Sequence, residues 1–249
     1  MRIQPILMAV IIGLGFLSNP AAGDDAGKTK PAVLYRDDFN SLDNWETLKF
    51  PKIRKMSVYS VTDPGNPECY LKAESSDSAS AIRRKGEFNP YDYPVLRWRW
   101  KVEKIYEKGD ASKKSGDDYP IRLYVLFKYD PKDPAVRRSL QFDLARLVYG
   151  RYPPYRTLNY IWANREQDQR YIPNTYTRHA MMITTEMGRK NVGRWREEKA
   201  NILEDYRAAF GEDPPRSAAI AIMNDSDNTH EASISYVDYI EVSALLPPP

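Results

Sequence analysis

The segment VLRWRWKV, residues 95–102, restricts the fold more than any other stretch of the chain. Successive side chains of a β-strand point to opposite faces. Leu96, Trp98, Trp100 and Val102 then form one apolar face, and Arg97, Arg99 and Lys101 form a charged one. On a helix both sets would be scattered around the axis. A strand of this kind needs a hydrophobic layer on one side only. IRLYVLFKY repeats the arrangement, with Ile121, Leu123, Val125 and Phe127 set against Arg122, Tyr124, Leu126 and Lys128. Further short runs are VLYRD, KMSVYSV, CYLKAE, SASAIRR, LNYIWAN, AMMITTE, AAIAIM and SISYVDYIEV, with Pro, Gly, Asn and Asp as punctuation. Many short strands separated by turn residues predict an all-β protein, an antiparallel sandwich of the jelly-roll, lectin-like type.

Two short helices are expected among the strands. In DPAVRRSLQFDLARLVYG, Asp133 can cap, Pro134 suits the first helical position and Gly150 can close the end. In NILEDYRAAFG, Asn201 and Glu204 resemble a capping box and Gly211 is the stop. Ile202, Leu203, Tyr206 and Phe210 would face the core of the second.

The ends of the chain suggest a compartment. Arg2, the apolar stretch Ile6–Leu17 and the small residues Pro20–Gly23 have the layout of a cleaved secretory signal. That stretch is too short for a membrane span, and no later run approaches the ~20 residues a span needs. Residues 1–23 therefore read as a signal peptide, 24–32 as a flexible lead-in, 33–244 as one sandwich domain and 245–249 as a tail. The single Cys69 cannot form an internal disulfide, and export without disulfides fits a bacterial periplasm or cell exterior. A net charge of +3 is too small to argue for nucleic acid.

KSGDDYPIRLYVLF, LNYIWAN, NTYT, DYRAAFGEDPP and IAIMNDSDNTHEASISYVDYIEV, in that order, resemble the bacterial domain-of-unknown-function 3047 family, and the resemblance covers most of the chain after the leader. It brings no activity with it. More loosely, the opening DDFN and closing VDYIEV look like the first and last strands of carbohydrate-binding jelly rolls, which implies acidic residues near both ends gathering around a structural calcium.

Asp238 raises the sharpest question. Ile234, Tyr236, Ile240 and Val242 share its parity, so a regular strand would aim its carboxylate at the core. That is costly unless the charge is paired or bound to metal. A calcium held by Asp38 and Asp238 is one answer. An arginine partner, or a bulge that turns Asp238 to water, are the others. The loop NDSDNT offers Asp225 and Asp227 as a second calcium site, although Asn and Asp also build ordinary turns. Asp117 and Asp118 in SGDDYP carry the same ambiguity.

The third group is the non-core face of the alternating strands. Arg97, Arg99, Arg122 and Tyr124 with Asn159 would line a groove, joined by Tyr160 and Tyr176 from the tyrosine-rich segment 149–178. Guanidinium groups bind carboxylate, sulfate or phosphate, and tyrosine rings carry sugar faces. No nucleophile elbow, H-E-x-x-H or glycine-rich phosphate loop is present, so no catalytic residue is assigned. The expected role is non-catalytic recognition of a polysaccharide, an anionic one given the arginines. A hydrolase or lyase on the same fold, the latter using His179, and an envelope assembly protein with a protein partner are the alternatives.

Overall fold

The computed structural model describes residues 31–50, 53–63, 68–136, 142 and 153–245. The signal segment, most of the lead-in and most of the helix predicted over 133–150 lie outside the described residues. Two sheets account for the rest. The first contains β1 (Val33–Asp37), β3 (Val58–Val61), β4 (Leu71–Ser76), β6 (Val95–Val102), β11 (Arg196–Asn201) and β13 (Ala232–Ser243). Its order is β11-β6-β13-β4-β3, with β1 beside the C-terminal half of β13. The second contains β2 (Trp45–Leu48), β5 (Ala79–Arg84), β7 (Arg122–Phe127), β8 (Arg156–Ala163), β9 (Tyr171–Pro173), β10 (Ala180–Met187) and β12 (Ala218–Asp225), in the order β2-β5-β12-β7-β8-β10-β9. The chain passes repeatedly from one sheet to the other, as a jelly roll does. Pairing is antiparallel except between β8 and β10, which run parallel.

The alternation read from the sequence decides what fills the gap between the sheets. Leu96, Trp98, Trp100 and Val102 from β6 meet Leu123, Val125 and Phe127 from β7 and Leu158, Tyr160 and Trp162 from β8 in one continuous core. Trp98 crosses Trp100 at nearly right angles with ring centres 5.4 Å apart, and leans on Tyr160 at 5.1 Å. Such crossed contacts add roughly 0.5–1.5 kcal/mol beyond the burial of the rings.

β13 resolves the question of Asp238. The ladder with β6 pairs Val237 with Trp100 and then Tyr239 with Arg99, so Asp238 is the extra residue of a β-bulge. Ahead of it the odd-numbered Val237 points inward; beyond it Ile240 and Val242 do. Asp238 escapes the core and its Oδ2 accepts from Arg99 Nη1 at 2.9 Å. The even parity inferred for the whole strand therefore holds only after the bulge, and Tyr236 faces outward against Tyr70, their ring centres 5.2 Å apart.

The second helix forms as α1 (Ile202–Phe210). Asn201 Oδ1 accepts from Leu203 N at 3.1 Å, and its Nδ2 reaches Glu204 Oε1 at 2.8 Å, closing the capping box. Gly211 ends the helix at φ +68°, a conformation a side chain would strain. Ile202 and Tyr206 enter the core, Phe210 packs at its edge, and Leu203 is only half-buried.

Candidate functional site

The outer face of the seven-stranded sheet is built by the strand positions left over from the core. β7 places Arg122, Tyr124 and Leu126 there, and β8 places Asn159 directly across from Tyr124. β12 adds Ala221 opposite Tyr124, Met223 opposite Arg122, and Asp225 at its end. β5 adds Ala79 and Ala81, which are buried with Ala221, Leu126 and Met223 in a small cluster beside Tyr124. Phe50 and Ile53, from the connection after β2, pack over one side of this floor. Tyr119 and Ala111, from the connection before β7, pack over the other with Ile161, Ala163 and Met182.

Arg122 anchors the second side. Its residue is only 5% exposed, and its charge is met at once by carboxylates. Nε donates to Asp225 Oδ1 at 3.1 Å, and Nη2 donates both to Asp225 Oδ2 and to the carbonyl of Asp117. Nη1 lies 3.7 Å from Asp117 Oδ1, and the Tyr119 ring lies 4.7 Å from the guanidinium carbon. Burial raises the Asp117 carboxyl above its ordinary range, with Arg122 opposing the shift. Asp118 is fully buried and takes three N–H groups: Asn228 N at 3.0 Å, Asn228 Nδ2 at 2.8 Å and Thr229 N at 2.6 Å. It thereby ties the NDSDNT loop down. Burial, then Asp118, raises the half-buried Asp227.

Asp118, Asp225 and Asp227 each bring one oxygen within 4.8 Å of the others. The donor set argues against a cation. Both oxygens of Asp225 already face Arg122, and both oxygens of Asp118 are taken by N–H groups. An ion here would have to displace a guanidinium from a buried pair. Asp38 and Asp238, the other expected calcium ligands, each take a separate arginine instead: Asp38 with Arg36 at 2.8 Å, and Asp238 with Arg99. The bulge is what turns Asp238 toward that arginine.

The remaining expected residues divide. Arg122, Tyr124 and Asn159 share one patch. Arg97 and Arg99 do not join it, because β6 belongs to the other sheet and the whole core separates them. They lie on the far face, where Arg97 pairs with Glu241 at 3.7 Å and Arg99 stands over Trp195 as well as beside Asp238. Tyr160 is not on a surface at all. It points between the sheets, fully buried, and donates to Asp205 Oδ2 at 2.9 Å. Tyr176 stands at the rim of the Arg122 side, its hydroxyl 2.9 Å from Lys114 O and 3.0 Å from Asn228 Oδ1. His179 has Nδ1 3.1 Å from the carbonyl of Tyr155, and burial lowers its pKa.

Several residues of consequence escape a reading of the sequence alone. Asp205 is buried in α1 and accepts from Tyr160, Tyr171 and Arg170. Its place three residues after Ile202 on a helix is the available signal. Glu186 and Glu198 meet at the edge of the sandwich, and a bulge that no local pattern marks brings Glu186 there.

Beneath the Tyr119 side two polar atoms, Asn159 Oδ1 and Thr184 Oγ1, are buried without a hydrogen-bond partner. Buried groups of this kind are normally satisfied by water or by a ligand.

Sheet order and this polar, aromatic outer face define a β-sandwich protein of the jelly-roll type. The chain belongs to the family described as Protein of unknown function (DUF3047), whose profile matches residues 43–241. A search of curated proteins found no match. Among solved structures, the chain is similar to the family 11 carbohydrate-binding module of the cellulosomal cellulase Lic26A-Cel5E of Clostridium thermocellum. That likeness has 10% identity and a TM-score of 0.42, and covers 89% of this chain and 99% of the module. A protein of unknown function with a galectin-like fold from Bacillus subtilis is similar at 11% identity and TM-score 0.44, covering 88% and 99%. The Endo-D glycoside hydrolase domain from Streptococcus pneumoniae is similar at 11% identity and TM-score 0.32; 82% of this chain matches only 22% of that one. Likenesses this remote do not bear on ligand or activity. Among the described residues no helix is long and apolar enough to cross a membrane.

Proposed function

We propose that the protein binds a neutral polysaccharide on the outer face of the seven-stranded sheet, without catalysing its cleavage. The observation that supports this reading is the setting of Tyr124. Its partly exposed ring lies between Ala221 of β12 and Asn159 of β8, with Phe50 and Ile53 forming a wall on one side and Tyr119 and Ala111 on the other. An aromatic ring set between two such walls offers the apolar face of a sugar ring a surface to stack on. The arginines on which an anionic ligand was expected do not favour one. Arg122 is committed to Asp225 and Asp117, Arg99 to Asp238 and Arg97 to Glu241. The carboxylates around Arg122 outnumber it, so a polyanion would meet net repulsion. Calcium has no part in this reading.

Affinity electrophoresis of the folded domain through gels containing single polysaccharides is the test. A neutral polymer is expected to retard the protein, and Tyr124→Ala to weaken that retardation about tenfold, or ~1.4 kcal/mol. Arg99→Ala, on the far face, should migrate like the parent. Retardation by anionic polymers alone, abolished by Arg99→Ala, would overturn the proposal, as would indifference to every polymer. The reading also places the protein outside the cytoplasm, supported by the leader-like residues 1–23. Protein recovered from its host should begin at Asp24; recovery with Met1 intact would refute export.

A further inference from the structure

A second constellation lies away from the outer face, at the open edge where β10 of one sheet faces β11 of the other. Up to Thr184, β10 points Ile183 inward and Met182 outward. The ladder with β8 then shifts, so that Glu186 rather than Thr185 lies beside the core residue Trp162. A regular strand would have put Glu186 on the outer face. The bulge turns it inward, where it is 7% exposed. β9 pairs with Met181, Met182 and Ile183 and goes no further, so among the described residues this end of β10 has no strand beyond it.

β11 answers from the opposite sheet. Glu198 pairs with Trp98 and Arg196 with Trp100, and both point to the core side with Ala200. The charged groups that meet at this point are Glu186 from β10 and Glu198 and Arg196 from β11. From β6 the indole N–H of Trp100 faces Glu198, and the neutral Asn191 comes from the connection between β10 and β11. Glu186 holds the donors: Arg196 Nε on Oε1, and Asn191 Nδ2 on Oε2 at 2.8 Å. Glu198 is left short of them. Its Oε1 and the Trp100 Nε1 are both buried without a completed hydrogen bond.

Two carboxylates and one guanidinium leave one negative charge too many for a half-buried edge. A proton on Glu198 removes it and supplies a donor toward Glu186. We propose that Glu186 and Glu198 share a single proton that latches the two sheets together along β10 and β11, and that this edge loosens as the proton is lost.

Burial, and next the Glu186 charge, push Glu198 up to about 7, while Arg196 and Trp100 oppose the shift. In the opened edge the group returns to the ordinary glutamate range near 4.3. Between those values the closed form holds a proton that the open form does not. The latch is therefore strongest in acid, weakens as pH rises toward 7, and changes little above it. β11 runs directly into α1, so loosening reaches Ile202 and Tyr206 in the core.

Hydrogen exchange of the β11 amides, corrected for the intrinsic pH dependence of exchange, reads the latch. Protection in the parent should fall roughly 40-fold from pH 5 to pH 7 and level off above pH 8. In Glu198→Gln, which keeps a donor toward Glu186 and cannot ionise, protection should be flat over the same range whatever its absolute value. A parental profile that is flat, or a variant that falls as steeply as the parent, would overturn the proposal. Carbon-detected titration of the parent's glutamate carboxyls gives a second reading. It should show one side chain titrating near neutrality that is missing from Glu198→Gln, and its absence from the parent would equally overturn the latch.

Discussion

Inserting one alanine between Tyr239 and Ile240 is expected to abolish cooperative folding, whereas Asp238→Ala should leave the sandwich intact. The contrast follows from the side-chain period of two, because a slip of one residue moves every later side chain to the opposite face. With one residue more and the bulge still absorbing only one, Ile240 and Val242, both fully buried, would turn to solvent, and Glu241 would turn into the core. Exposing the two aliphatics costs about 3–6 kcal/mol together. Burying an unpaired carboxylate adds several more. Against a total stability of roughly 5–15 kcal/mol for a domain, that is enough to unfold it. The substitution removes only a partly exposed ion pair with Arg99, worth about 0–1 kcal/mol. Circular dichroism and urea unfolding of both proteins decide the matter. An insertion variant that melts with the parent's cooperativity would show that the register is set elsewhere.

Asp225→Asn is expected to destabilise the protein by about 3–5 kcal/mol, because it leaves the buried Arg122 guanidinium short of its main counter-charge. Arg122→Met should cost a comparable amount by stranding Asp225 beside Asp117 and Asp118. The double variant Arg122→Met/Asp225→Asn, with neither charge left, should recover a large part of the loss. That recovery separates a buried ion pair from two independent packing positions. Urea midpoints of the four proteins form the cycle, and additive single-variant effects would refute the coupling.

Much of the fold is readable because alternation is local. β6 and β7 announce both their faces within eight or nine residues, and the core meets that pattern at Trp98, Trp100, Leu123 and Val125. The cap at Asn201 and the stop at Gly211 are equally local. The site is less legible, for two physical reasons. Strand assignment to a sheet depends on connections and long-range pairing, so Arg97 and Arg99 look like neighbours of Arg122 until the sheets separate them. Bulges invert parity without changing composition. One carries Asp238 to an arginine instead of a metal, and another carries Glu186 inward to Glu198. Tyr160 is misplaced differently. It lies in LNYIWAN, which reads as a strand, but grouping it with the tyrosine-rich segment 149–178 overlooks the parity with Leu158 and Trp162 that directs it from β8 into the core.

The pairing of β1 with β13 joins the first described strand to the last. Tyr35 lies beside Val242 and Asp37 beside Ile240, across nearly the whole intervening chain. Contacts so distant in sequence close late, since loop entropy must be overcome before they contribute. β13 also supplies the centre of its sheet, between β6 and β4. A growing chain that has not yet released its final strand can therefore fold neither edge of that sheet to completion. Until β13 arrives, β6 and β4 have no strand between them and the inner face of their sheet stays incomplete.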